Sequence, residues 1–330
     1  NNLEEARVER VDYIVANHAE QDHSGSIRAV LERYPEAVIV ANAKCKEFLQ
    51  DMYGFEDGKF RVIADGETLS LGDMTLRFVF APWVHWPETM LTFLEEDRIL
   101  FTCDLFGSHL ATSKLYAEDE HDVFMAAKRY YAEIMMPFRK NIQAHMKKIS
   151  ELNPAMIAPS HGPVYNRPEF ILKHYGEWVS DKTENSALIA YVSMHDTTRQ
   201  MAFFLGNELI KRGVEVHLFN LEHPDIGELA MASVNARTIV IASPTVLTGA
   251  HPNASYAALL LNELRPKARF LAVIGSYGWG GTMAQQIKSA MSHLKAEWVG
   301  EVLAKSHNHA EMFAPLEELA DNIRERHSTD

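Results

Sequence analysis

Residues 11–25 read VDYIVANHAEQDHSG, and the organisation of the chain can be worked outward from them. VDYIVA (11–16) is a short apolar strand pattern. Behind it His18, Glu20, Asp22 and His23 fall within six residues, and Gly25 with the helical pattern SIRAVLERY closes the loop. Four such side chains on one turn are costly to pack unless a cation neutralises the carboxylates and accepts the imidazoles. Three more candidates sit in loops after strands: His85 in APWVHWPE, Asp104 in LFTCDLFG and His161 in APSHGPVY. Taken singly, each has an ordinary alternative as a loop or core histidine or a turn aspartate. The cluster at 18–23 turns the reading to metal. Four histidines and three carboxylates suit two metals sharing one bridging carboxylate. The set holds no thiolate, which disfavours structural zinc and suits iron or manganese, with hydrolytic zinc still open.

The 330 residues carry a net charge of −13, and 47% are hydrophobic, so the length suggests two domains with cores of their own. The pattern changes near residue 183. Residues 1–182 are mostly short strands, with helical stretches at 43–53, 121–151 and 168–181. In 183–330, strand and helix alternate: ALIAYV (187–192), VEVHLF (214–219), TIVIA (238–242), RFLAVIG (269–275) and EWVGEVL (297–303) are each followed by a helical pattern. Five buried strands with intervening helices predict an α/β fold with a doubly wound, five-stranded parallel sheet. The first part has 20 basic and 29 acidic residues and the second 12 and 16, so neither suits nucleic acid or an anionic membrane. No apolar run is long enough to span a bilayer, and NNLEEARVER is too charged for a signal peptide. Cys45 and Cys103 read as core residues in a reducing cytoplasm. The chain has no initiator methionine and enters a strand almost at once, so it reads as a fragment lacking an N-terminal piece of its first domain.

Three loops of the second part fall at strand C-termini, where open α/β sheets bind ligands. The first, SMHDTTRQMA, brings Ser193, Met194, His195, Asp196, Thr197 and Thr198 to a helix start, which suits a phosphate. A plain N-cap is the alternative for this loop alone. It is not a GxGxxG, which disfavours a dinucleotide fold. The second loop supplies Ser243, Pro244, Thr245, Val246 and Leu247. The third is GSYGWGG, with Ser276, Tyr277, Gly278, Trp279, Gly280 and Gly281. Tyr277 and Trp279 are placed to flank an isoalloxazine ring, and the glycines permit close backbone approach.

A strand followed by a near-HxHxDH motif, then His, Asp and His after later strands, resembles the metallo-β-lactamase fold, an αββα domain. Glu20 replaces the second histidine of that signature. Together with HWPETM, SPT and GSYGWGG, this makes the whole chain resemble the flavodiiron proteins (A-type flavoproteins). The resemblance implies His18, Glu20 and His85 on one iron, Asp22, His23 and His161 on the other, and Asp104 bridging. It also implies FMN in the second, flavodoxin-like domain. The implied activity is reduction of O2 to water, or of NO to nitrous oxide, in a head-to-tail homodimer or a dimer of dimers. With no CxxC pair, the donor is expected to be a separate rubredoxin-like protein or a reduced deazaflavin cofactor. HDTT stands where the family more often has a glycine- or asparagine-containing turn, and residues the family usually carries at the N-terminus are absent.

Two other classes are weighed beside this one. A zinc-dependent hydrolase of the metallo-β-lactamase fold is disfavoured by Glu20. A flavodoxin-like electron carrier with a degenerate first domain is disfavoured by the full set of seven matched residues. Among lesser features, EDEHD (118–122) reads as a solvated helix start, and His307 and His309 as surface residues. His109 and Tyr116 are candidates for the substrate pocket.

Overall fold

The structure is a computed structural model that describes residues 2–305 and 309–329. His307 and the side chain of His309 lie outside them. Compactness divides the chain into two units: Asn1–Tyr131 with Phe138–Val179, and Ala132–Pro137 with Ser180–Asp330.

In the first unit, strands Tyr13–Val15, Val38–Ala41 and Phe60–Val62 form a parallel sheet in chain order. Strands Thr68–Ser70, Thr75–Phe80, Met90–Leu94, Ile99–Cys103 and Met156–Pro159 form a second sheet, antiparallel except for its last pair. Val40 from one sheet and Leu69, Phe78 and Met90 from the other share one buried cluster. A second cluster packs helix Ala43–Tyr53 on the outer face, through Cys45 and Leu49 against Ile39 and Ala41. This is the layered arrangement that two one-sided sheets require. The expected single helical stretch over 121–151 is corrected. It breaks into Glu120–Tyr130, a π turn Tyr131–Met135, a 3-10 turn Met136–Phe138 and helix Arg139–Leu152. Pro137 is the cause: it offers no backbone N–H, and its ring crowds the carbonyl four residues before it.

In the second unit, five parallel strands lie in the order Glu215–Asn220, Glu184–Tyr191, Ala236–Val246, Phe270–Tyr277 and Glu297–Lys305. In chain order this is 2-1-3-4-5, the flavodoxin-like arrangement. Two apolar clusters cover its faces. Helices Thr197–Lys211 and His309–Thr329 contribute to one; Ile226–Ser233, Pro252–Leu264 and Met283–Ala290 contribute to the other. Burial on both faces explains the unbroken apolar runs. A short strand, Gly249–Ala250, folds back antiparallel on Thr245 and Val246. The tip of this hairpin, Leu247–Thr248, takes φ of 48° and 73°, left-handed values that normally call for Asn-Gly.

Gly275 sits where the central strands converge on the loop ends. A Cβ there would lie 2.1 Å from the Ser243 carbonyl oxygen and 2.4 Å from Met283 Cε. The first neighbour is backbone and cannot swing aside. Gly275→Ala is therefore expected to destabilise the fold by about 1–3 kcal/mol, read as a lower denaturant midpoint.

Candidate metal centre and flavin cradle

The metal site begins where strand Tyr13–Val15 ends. Asn17 anchors the chain there: its carbonyl accepts from Met90 N at 2.9 Å and its Oδ1 from the Thr92 hydroxyl at 2.7 Å. One helical turn, Gln21–Ser24, follows, and the Ser24 hydroxyl donates to the Ala19 carbonyl at 2.6 Å. This tight return brings His18, Glu20, Asp22 and His23 to one wall. His85 comes from a loop held by the Thr89 hydroxyl on Val84 O (2.7 Å) and by His145 Nε2 donating to Pro82 O (2.9 Å). Asp104 follows Cys103, whose φ of 52° turns the chain abruptly inward at the strand end.

These groups divide in two around Asp104, which is 1% exposed. Asp104 Oδ2 lies 3.3 Å from His85 Nε2 and 3.5 Å from His18 Nε2. Both of these nitrogens also approach Glu20 Oε2, at 3.3 and 3.1 Å. Asp104 Oδ1 lies 3.0 Å from His23 Nε2 and 3.3 Å from His161 Nε2. That second pair approaches Asp22 Oδ2, at 3.4 and 3.2 Å. Ligand atoms of His18, Glu20, His85 and Asp104 all fall within 4.8 Å of one another, and so do those of Asp22, His23 and His161.

Burial by itself would raise the Asp104 pKa, but the rings of His161, His23 and His85 outweigh it and hold the carboxyl far below its usual range. For His18, burial works against protonation, yet Glu88 and the charge of Asp104 raise the pKa overall. His161 is raised chiefly by Asp104. So much imidazole around so much carboxylate calls for positive charge, as protons or as a cation. His23 Nε2 favours the cation: it is buried, lies off the line of a hydrogen bond to Asp104, and makes no hydrogen bond among the described residues. Four imidazoles and three carboxylates fit a pair of iron ions.

In the second unit a cavity of about 430 Å³ opens between three strand ends. It is lined by Ser193, Met194, His195, Thr197 and Thr198, by Pro244 through Leu247, and by Ser276 through Gly278. Thr198 is buried with its Oγ1 3.0 Å from Ser276 Oγ, and Ser193 Oγ is buried without a partner among the described residues. An orphaned hydroxyl beside a helix start, in a cavity of ligand size, fits a flavin phosphate. The other five residues named from the sequence do not line it. Asp196 is folded onto its own helix, and Ser243 is fully buried with its hydroxyl donating to Pro244 O. Trp279 is 78% exposed, while Gly280 and Gly281 take φ of 131° and 150° in the turn beyond.

A family profile described as "ODP family beta lactamase" matches residues 2–162. Among solved structures, the rubredoxin oxygen:oxidoreductase of the anaerobe Desulfovibrio gigas superposes with a TM-score of 0.93 at 25% identity, covering 98% of this chain and 84% of that one. A nitric oxide reductase of Moorella thermoacetica is 34% identical over 298 residues, 88% of this chain and 74% of that protein. A coenzyme F420H(2) oxidase of Methanothermobacter marburgensis is 31% identical over 300 residues, 88% of this chain and 74% of that protein. The chain belongs to the flavodiiron protein family. Its first unit is the metallo-β-lactamase-like domain of that family and its second the flavodoxin-like domain.

Several residues around the candidate metal centre of this family member were not singled out from the sequence. Glu88, 2% exposed, accepts from His18 Nδ1 at 2.7 Å and from Ala19 N at 3.0 Å, both through Oε1. Asn42 caps helix Ala43–Tyr53 with its Oδ1 and donates to the Glu88 carbonyl at 2.6 Å. The Tyr130 hydroxyl donates to Asp104 Oδ1 at 3.0 Å. An acid two residues before the wholly buried strand Met90–Leu94 was a signal for Glu88; no comparable signal marked Tyr130. Cys103 is buried as expected, and its Sγ lies 3.8 Å from His23 Nδ1. Burial, then the charge of Asp104, pushes that thiol well above its usual pKa. The exposed ring of His109 stands edge-on to Tyr130 and His161, at 4.8 and 5.5 Å between centroids. Tyr116 is half-buried and bridges Val164.

Proposed function

We propose that this flavodiiron protein is an oxidoreductase that reduces O2 to water, NO to nitrous oxide, or both, at a pair of irons fed by FMN. The observation that carries the reading is the division at Asp104, one carboxylate oxygen facing each half of the donor set. His18, Glu20 and His85 would hold one iron, Asp22, His23 and His161 the other, with Asp104 shared. When bound, iron and FMN supply the electron transfer. The protein does the rest. Glu88 keeps the proton of His18 on Nδ1, so that Nε2 faces inward. Tyr130 steadies one oxygen of Asp104 by hydrogen bonding. Buried Leu105 and Phe106, next to Asp104, limit water at that wall.

The names of the relatives support two kinds of donor, a rubredoxin-like protein and reduced coenzyme F420. A head-to-tail homodimer, with the flavin of one copy serving the metal pair of its partner, is the assembly this reading takes. Two free, buried cysteines accord with a cytoplasmic setting, and among the described residues no helix is long and apolar enough to cross a membrane.

The test is anaerobic reduction of the full chain loaded with iron and FMN, then separate assays of O2 and NO consumption. Removing iron is expected to abolish consumption of both gases while the flavin stays reducible. Zinc in place of iron, or gas consumption that survives iron removal, would overturn the proposal.

A further inference from the structure

The loop entering helix Thr197–Lys211 turns at Asp196, with φ of 68°. Glycine enters that left-handed region freely, whereas a side chain there is strained and only Asn and Asp are at all common. Asp196 also brings a negative charge between His195 and Thr197, two residues of the cavity wall. Its carboxylate is nevertheless absent from that wall. It is folded back along the helix, where Oδ1 accepts from Arg199 Nε and Oδ2 from Gln200 Nε2 at 2.8 Å. Arg199 is itself held: its guanidinium lies over the Phe203 ring, 5.6 Å from the centroid, and that ring stands edge-on to Tyr191 at 5.8 Å. Tyr191 ends the strand that leads into the loop.

We propose that Arg199 is a positioning residue for the flavin phosphate, acting by holding the Asp196 carboxylate away from the cavity. The proposal rests on the FMN reading above. A phosphate monoester carries close to two negative charges at neutral pH. A carboxylate one residue from its cradle, once released from Arg199, lies well inside a Debye length and opposes binding. Arg199 does not line the cavity, so its influence is exerted through Asp196 and not by contact. The pair stands in for a turn that has no side chain to restrain.

A double-mutant cycle decides the matter. FMN and riboflavin, which differ by the phosphate, are titrated by fluorescence quenching into the full chain purified free of flavin. Native, Arg199→Met, Asp196→Asn and doubly substituted chains are compared. Asparagine keeps the tolerance for the left-handed turn while removing the charge. Arg199→Met is expected to weaken FMN about fivefold, the range of exposed charge pairs, and to leave riboflavin almost unchanged. In the Asp196→Asn background the same substitution should change FMN by less than about twofold, because the group it restrains has lost its charge. An equal loss in both backgrounds would mean that Arg199 meets the phosphate itself, and the proposal fails. Equal losses for FMN and riboflavin would mean a disordered helix start, and it fails again. A native chain that binds neither flavin would instead overturn the FMN reading, and the proposal with it.

Discussion

An Asp104→Ala chain is expected to lose both metal positions at once. Gas consumption should fall below about one hundredth of native, since even residues that only support a ligand are worth 10–100-fold. The reason lies in the two oxygens: Oδ2 faces His18 and His85, Oδ1 faces His23 and His161. With the carboxylate gone, the carboxylates of Glu20 and Asp22 remain among the four imidazoles to offset an approaching cation. Both of those lie towards solvent, their side chains 39% and 51% exposed. The measurement is iron per chain by metal analysis, beside flavin per chain as a control for folding. Iron should fall towards zero while flavin content holds. A chain that kept two irons and native turnover without this side chain would remove the basis of the functional proposal.

The second large effect is at Glu88. Replacing it with leucine strips the acceptor from His18 Nδ1 and Ala19 N in a place that water does not reach. Leaving a buried donor unpaired costs about 1–3 kcal/mol each, and the ring of His18 is then free to turn or to adopt the wrong tautomer. Iron affinity at the His18, Glu20 and His85 position should drop about 10–100-fold in a chelator competition. Glu88→Gln keeps a carbonyl oxygen for both donors and should lose less than about tenfold by the same measure. If leucine and glutamine behave alike, and both like the native chain, Glu88 is a packing residue and nothing more.

Much of this could be read from the chain because the informative residues are close in sequence. His18 through His23 lie on one return of the chain, and no tertiary knowledge is needed to see their crowding. The parallel strands of the second unit were equally plain, because a strand covered on both faces must be apolar throughout; Leu188, Ile189, Val240, Ile241, Val273 and Ile274 are all fully buried. What could not be read depends on meetings between distant segments. The pairing of Tyr130 with Asp104 spans 26 positions and that of Glu88 with His18 spans 70, and neither partner belongs to a periodic pattern. The hairpin tip Leu247–Thr248 carries none of the usual turn residues, so its left-handed backbone left no mark in composition. The run 121–151 misled for the opposite reason: its helical periodicity is real on both sides of Pro137, and one residue divides it.

On the proposed reading, a ligand common to two ions also constrains how the site can change. Any shift of the backbone at the end of strand Ile99–Cys103 displaces both halves in concert, so it cannot serve to make the irons unlike. Divergence between the ions, in potential or in access for a diatomic gas, has to be written into the private partners of each. On that reading the latitude of the centre lies in the short return at 18–23 and in the loops bearing His85 and His161, not in the aspartate between them.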